Sequence, residues 1–100
     1  MEHSKSILQQ KKCCMVCKTT RNLERHHCFL AARRRASEKW GLWIWLCHDH
    51  HTGNQGVHFN REFMEELQEY AQTVFESMYG EEEFLQEFGK NYKRGEAVDG

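Results

Sequence analysis

The chain has 100 residues, of which 39% are hydrophobic and 12% aromatic; that allows one domain with tails and excludes wholesale disorder. Its net charge of −1 averages two opposed halves. Residues 1–50 carry ten Lys/Arg against four Asp/Glu, and residues 51–100 carry four against eleven, so only the first half has the sign of a polyanion-binding surface.

Residues 1–12, MEHSKSILQQKK, are polar and lack the apolar run of a signal peptide. They are expected to form a flexible segment, frayed or briefly helical, ahead of a domain at 13–92 and a tail at 93–100. No stretch has the apolar length of a membrane span, so no membrane association is expected. The five cysteines are an odd number, which points to a reducing, intracellular home where clustered thiols are more often metal ligands than disulfides.

CCMVCKTTRN reads as a cysteine knuckle and turn, LERHHCFL at 23–30 as a short strand, and AARRRASEK at 31–39 as a basic connection with room for a helical turn. WGLWIWL at 40–46 is the second and richest strand pattern. In CHDHHTGNQG, Gly53 and Gly56 limit any helix to about one turn.

From Asn60 the period changes. Phe63, Met64, Leu67, Tyr70, Ala71, Val74, Phe75 and Met78 recur at three- and four-residue steps, which predicts a long helix whose stripe packs into the core. Asn60 is the expected N-cap, with Phe59 and Met64 as a hydrophobic staple and Glu62 favoured by the helix dipole. Gly80 stops this helix, and a shorter one in EEEFLQEF ends at Gly89. The expected class is α+β: a β-hairpin with a metal knuckle, then C-terminal helices within 60–89.

Cys14 and Cys17 form one pair at x₂ spacing, and Cys47 and His50 form a second, 29 residues on. A tight turn lets both side chains of such a pair face one ion. Two pairs brought together by a hairpin supply four soft ligands in a tetrahedron, which suits a structural Zn²⁺. Free buried thiols are the alternative. Cys13 would point elsewhere, and Cys28 reads as a small buried apolar residue.

His26, His27, His51 and His58 remain, with His3 in the first segment and His48 facing away from the x₂ pair. Neighbours on a strand face opposite sides, so His26 and His27 suit different roles, one as a ligand and one as a base. Neighbours on a helical turn diverge by about 100°, so His50 can face the zinc while His51 turns toward His26. The run LCHDHH then serves two metals from one turn.

The order Cys-x-x-Cys, a His-His pair on a strand, and a second strand ending Leu-Cys-x-x-His-His resembles the zinc-containing HNH endonucleases, also called ββα-metal or His-Me finger enzymes. The likeness spans about residues 14–58. The run HHCFLAARRRASEKWGLWIWLCHDHHTGNQGVHFN is also similar to small HNH proteins of phages and prophages, some associated with recombination. The resemblance implies His26 and His51 as ligands of a catalytic divalent ion, His27 as general base, and single-metal hydrolysis leaving 5′-phosphate and 3′-hydroxyl ends. A third ligand often follows four residues after the second; that place holds Gln55, and His58 is the nearest candidate. The family's middle Asn or His falls near Leu42, where nothing can substitute chemically. A backbone group or a residue of the 31–39 loop must orient the base instead, or the site is weakened. Imidazole at position 26 favours Mn²⁺, Ni²⁺, Co²⁺ or Zn²⁺ as readily as Mg²⁺.

Arg33, Arg34 and Arg35 are candidate DNA contacts. Guanidinium groups beside a reactive metal would hold phosphate oxygens without reading bases, giving weak sequence preference and strong salt sensitivity. The bland alternative is a solvated basic loop. The acidic helices cannot lie on a phosphate backbone and suit solvent or a basic partner protein. The expected activity is therefore a DNA endonuclease or nickase. Its rivals are a zinc-stabilised DNA-binding or recombination-accessory module, which the missing middle residue favours, and a zinc-ribbon protein-interaction domain.

Overall fold

The structure, a computed structural model, describes residues 5–53, 56 and 60–93. Strand β1, Leu23–His27, pairs antiparallel with β2, Trp43–Cys47, in a two-stranded sheet. A 3-10 turn at Ala31–Arg33 and helix α1, Arg34–Trp40, join the strands; α2, His48–His51, follows β2 as a single turn. Helices α3, Arg61–Tyr79, and α4, Glu81–Phe88, complete a small α+β domain.

Register sets the faces of the sheet. His26 lies opposite Ile44 and Glu24 opposite Leu46; His27 lies opposite Trp43 and Arg25 opposite Trp45. Because side chains alternate, Glu24, His26, Ile44 and Leu46 share one face, and Arg25, His27, Trp43 and Trp45 share the other. Ile44 and Leu46 are fully buried and belong to the core with Leu42, Phe29, Phe75, Phe84 and Phe88. The four phenylalanines pack ring on ring, with Phe29 4.8 Å from Phe88 in a tilted pair and Phe84 4.7 Å from Phe88 in a stacked one, between ring centroids. Each such ring contributes on the order of 1.5–3 kcal/mol by leaving water.

Asn60 caps α3 as its sequence position implies, its side chain accepting from the Phe63 amide at 3.0 Å. The expected staple involves Phe59, which lies outside the described residues. Leu67, Ala71 and Phe75 form the buried seam of α3. Tyr70 and Met78, expected in the core, are 45% and 54% exposed. Tyr70 sits about 100° around the helix from the middle of that seam and so turns toward solvent, whereas Met78 is on the seam's own line but in the last turn of α3. Gly80 and Gly89 cap α3 and α4 as expected.

One further expectation is corrected. Trp40 belongs to α1 rather than to the strand, because Gly41, at φ 75°, ends the helix in the left-handed region. A Cβ there would also strike the Lys5 carbonyl. Residues 5–12 run along the free edge of β2. Ser6 Oγ donates to the Trp43 carbonyl at 2.5 Å, the Trp45 amide donates to Gln9 Oε1 at 2.8 Å, and Leu8 is buried. The segment covers main-chain groups that an edge strand would otherwise expose. Among the described residues no helix is long and apolar enough to cross a membrane.

Candidate metal centre and histidine pair

The first knuckle is a tight turn closed by the Cys14 amide donating to the Thr19 carbonyl at 2.8 Å and by Lys18 N donating to Cys14 O at 2.9 Å. Lys18 takes φ 68° within it. The second knuckle is made where β2 ends and α2 begins, so Cys47 and His50 are one helical turn apart. Met15 N donates to the Trp45 carbonyl at 2.9 Å, which docks the first knuckle against β2.

Cys14, Cys17, Cys47 and His50 come together with their donor atoms all within 4.8 Å of one another. Cys17 Sγ and Cys47 Sγ are 3.8 Å apart, and His50 Nδ1 stands 3.2 Å from Cys47 Sγ and 3.7 Å from Cys14 Sγ. A tetrahedron built on Zn–S bonds of about 2.3 Å and Zn–N bonds of about 2.0 Å has edges of roughly 3.5–3.8 Å. These donors therefore fit a Zn²⁺-sized ion.

Protonation supports that fit. Burial raises the pKa of the Cys14 thiol. The amides of Cys17, Cys47 and Val16, with the Cys17 thiol, outweigh it and bring Cys14 down to about 6. Cys47 moves up, through burial first and then through the thiols of Cys14 and Cys17. One negative sulfur thus resists the next, and a bound dication would remove that resistance. Cys28 is fully buried and pushed up to about 12 by burial, so it stays a neutral thiol. Cys13, half-buried, stands outside the cluster.

The other side of α2 carries His51. Its ring meets that of His26 edge-to-face, with centroids 5.3 Å apart, and His26 is 1% exposed. His51 Nδ1–H donates to Glu24 Oε1 at 2.7 Å, and His48 Nδ1–H donates to Glu24 Oε2 at 3.1 Å. These bonds hold the Glu24 carboxyl below its ordinary range, His51 contributing more than His48. His58 lies outside the described residues. Among the described residues the Cys14–Cys17–Cys47–His50 group is the one set of three or more such donors gathered within ligand range.

His27 points to the opposite face. Its Nε2–H donates to Glu38 Oε1 at 2.6 Å, while Glu38 Oε2 accepts from Arg25 Nη1 at 2.6 Å. Burial lowers the His27 pKa more than Glu38 raises it, so the ring is neutral near pH 7 with Nδ1 as its acceptor. The Arg25 guanidinium lies over the Trp43 ring at 3.7 Å. Beside His27 opens a groove of about 540 Å³ walled by Arg25, Arg34, Arg35, Ala31 and Glu38.

Arg34 and Arg35 are exposed. Arg33 differs from its neighbours: its Nη1 donates to the Glu87 carbonyl at 3.3 Å, where it braces the end of α4. Trp43 is 4% exposed and packs as the strand alternation requires. The sequence reading did not include Glu24 or Glu38. Glu24 is legible in principle, since alternation puts it on the face of His26. No family model, curated protein or solved structure matches this chain.

Proposed function

We propose that this domain is an HNH-type, metal-dependent endonuclease that nicks DNA with little sequence preference. A Zn²⁺ held by Cys14, Cys17, Cys47 and His50 would fix the hairpin to α2. The observation that carries the reading is the meeting of His26 and His51 on a face of α2 about 100° around from the one that His50 gives to that cluster. Two imidazoles sharing an ion at about 2.1 Å, ligated near the tetrahedral angle, would have centroids roughly 5 Å apart, in keeping with the pair's spacing.

In this reading His26 and His51 would hold the catalytic divalent ion, with His58 as candidate third ligand. That ion, when bound, offsets the charge that grows on the phosphate oxygens and leaving group. The chain's own residues do the rest. His27 accepts the proton of the attacking water at Nδ1, because a buried neutral imidazole is a competent base near neutral pH. Glu38, a residue of the 31–39 connection, takes over the orienting role that the family gives to its middle Asn or His. Arg34 and Arg35, with Arg25 behind them, hold backbone phosphate in the groove beside His27.

A second reading has its own observation. Only one multi-donor cluster is gathered among the described residues, and His27 opens on a different face from His26 and His51. That arrangement also suits a zinc-stabilised DNA-binding or recombination-accessory module without catalysis. Supercoiled plasmid incubated with the protein and Mg²⁺, Mn²⁺ or Ni²⁺ separates the two. Nicking that is lost in His27→Ala, with zinc content kept, supports the nuclease. Binding without nicks in every metal selects the accessory module.

A further inference from the structure

We propose that Glu24 is the positioning carboxylate of the His26–His51 ion site, holding α2 so that His51 presents Nε2 to the ion. The inference rests on the reading of His26 and His51 as ligands.

A histidine binds a metal through one ring nitrogen, and the partner of the other nitrogen selects the tautomer and fixes the ring. For His51 that partner is Glu24, 2.7 Å from Nδ1. A carboxylate only accepts, so Nδ1 carries the proton and Nε2 keeps the lone pair. Alternation places Glu24 two residues before His26 on the same face of β1. The residue that aims His51 therefore stands on the strand that carries His26.

The second oxygen of Glu24 takes Nδ1–H of His48 at 3.1 Å. His48 and His51 are the first and last residues of α2, so one carboxylate grips both ends of the turn. Between them lies His50, whose Nδ1 belongs to the cysteine cluster. Glu24 thereby sets the rotation of the turn that divides its histidines between two ions. Glu38 stands to His27 as Glu24 stands to His51, one carboxylate on each face of the sheet.

The test uses full-length protein carrying one zinc per chain, with free zinc removed, and Mn²⁺ as probe. Mn²⁺ does not displace zinc from thiolates, and its free concentration is read by electron paramagnetic resonance. Wild type is expected to bind one Mn²⁺ beside one zinc, and His51→Ala to abolish it. Glu24→Ala should weaken Mn²⁺ binding about 10–100-fold with zinc content and circular dichroism unchanged. Glu24→Gln, which keeps an acceptor without the charge, should fall between, and it decides the matter if Glu24→Ala does not fold. Nitrogen-15 spectra of the imidazoles should show His51 protonated at Nδ1 in wild type, with that preference lost in Glu24→Ala. Unweakened Mn²⁺ binding in the folded Glu24 variants overturns the role of Glu24 and leaves the ion site standing. A wild type that binds no Mn²⁺ removes the ion site and this inference with it.

Discussion

Glu38 Oε1 stands 2.6 Å from Nε2 of His27, one of two such links between α1 and the face of the hairpin that carries the candidate base. The other Glu38 oxygen is held by Arg25, which is itself spread over Trp43. Carboxylate, guanidinium and indole thus lock one imidazole in one tautomer. If His27 is the base, Glu38→Ala should lower the nicking rate on the order of 10²-fold through loss of orientation, with zinc content intact. Glu38→Gln should retain more activity than Glu38→Ala. Plasmid nicking rates for the two variants check this; rates equal to wild type would mean that His27 does not depend on Glu38.

If the Cys14–Cys17–Cys47–His50 group holds zinc, removing the metal should unfold the domain. Cys17 is exposed, so a chelator can reach the cluster, and a structural zinc contributes on the order of 10 kcal/mol to a small fold. Cys17→Ser, or chelator treatment, should abolish the cooperative thermal transition. Cys28→Ala should keep one zinc per chain, since that thiol is buried and neutral. Circular dichroism melts with zinc quantification measure both.

The three consecutive arginines should separate in their effects. Arg34→Glu and Arg35→Glu should weaken DNA binding at low salt, each lost phosphate contact lowering the salt-dependence slope by about one. Arg33→Ala should act on stability instead, costing about 1–2 kcal/mol, because its guanidinium bonds the Glu87 carbonyl. The neighbouring Gly89 leaves room for that side chain, since a Cβ there would meet the Arg33 guanidinium. Fluorescence anisotropy over a salt series, beside urea melts, tells the two classes apart.

The C-terminal segment gives a pH signature. Buried Gln72 accepts from Tyr92 N at 2.8 Å and donates to Glu76, which also takes Lys93 Nζ at 2.6 Å. Burial pushes Glu76 up, but the bonds from Gln72 and Lys93 outweigh it and leave its pKa below the ordinary 4.5. A depressed carboxylate gives stability that is complete above its unfolded pKa and is lost as pH falls through the folded value. The stability gap between wild type and Lys93→Met should therefore be constant near neutrality and close below about pH 4.5. Urea midpoints at matched pH values test this, and comparing the two proteins cancels the acid sensitivity of the cysteine cluster.

The parts of the site that were legible are those set by short-range spacing. The two x₂ pairs, Asn60 as a cap and Gly80 and Gly89 as stops each depend on a few adjacent residues. The divergence of His50 and His51 followed from the pitch of one helical turn. Glu38 was not legible, because it looks like any helical surface residue until α1 folds back on β1. The edge segment was hidden for the same reason: Ser6 and Gln9 satisfy main-chain groups 37 and 36 residues away, and polar composition alone reads as a frayed end. Aromatic β-propensity places Trp40 in the strand, although Gly41 beside it is a helix stop. Context outweighed propensity there.

If α2 serves two ions from two of its faces, crystals of protein carrying one zinc per chain and soaked in Mn²⁺, with anomalous data at both metal edges, will show it most directly. Zinc is expected among Cys14, Cys17, Cys47 and His50, and manganese between the rings of His26 and His51. A single zinc peak, with no manganese at the histidine pair, would contradict it.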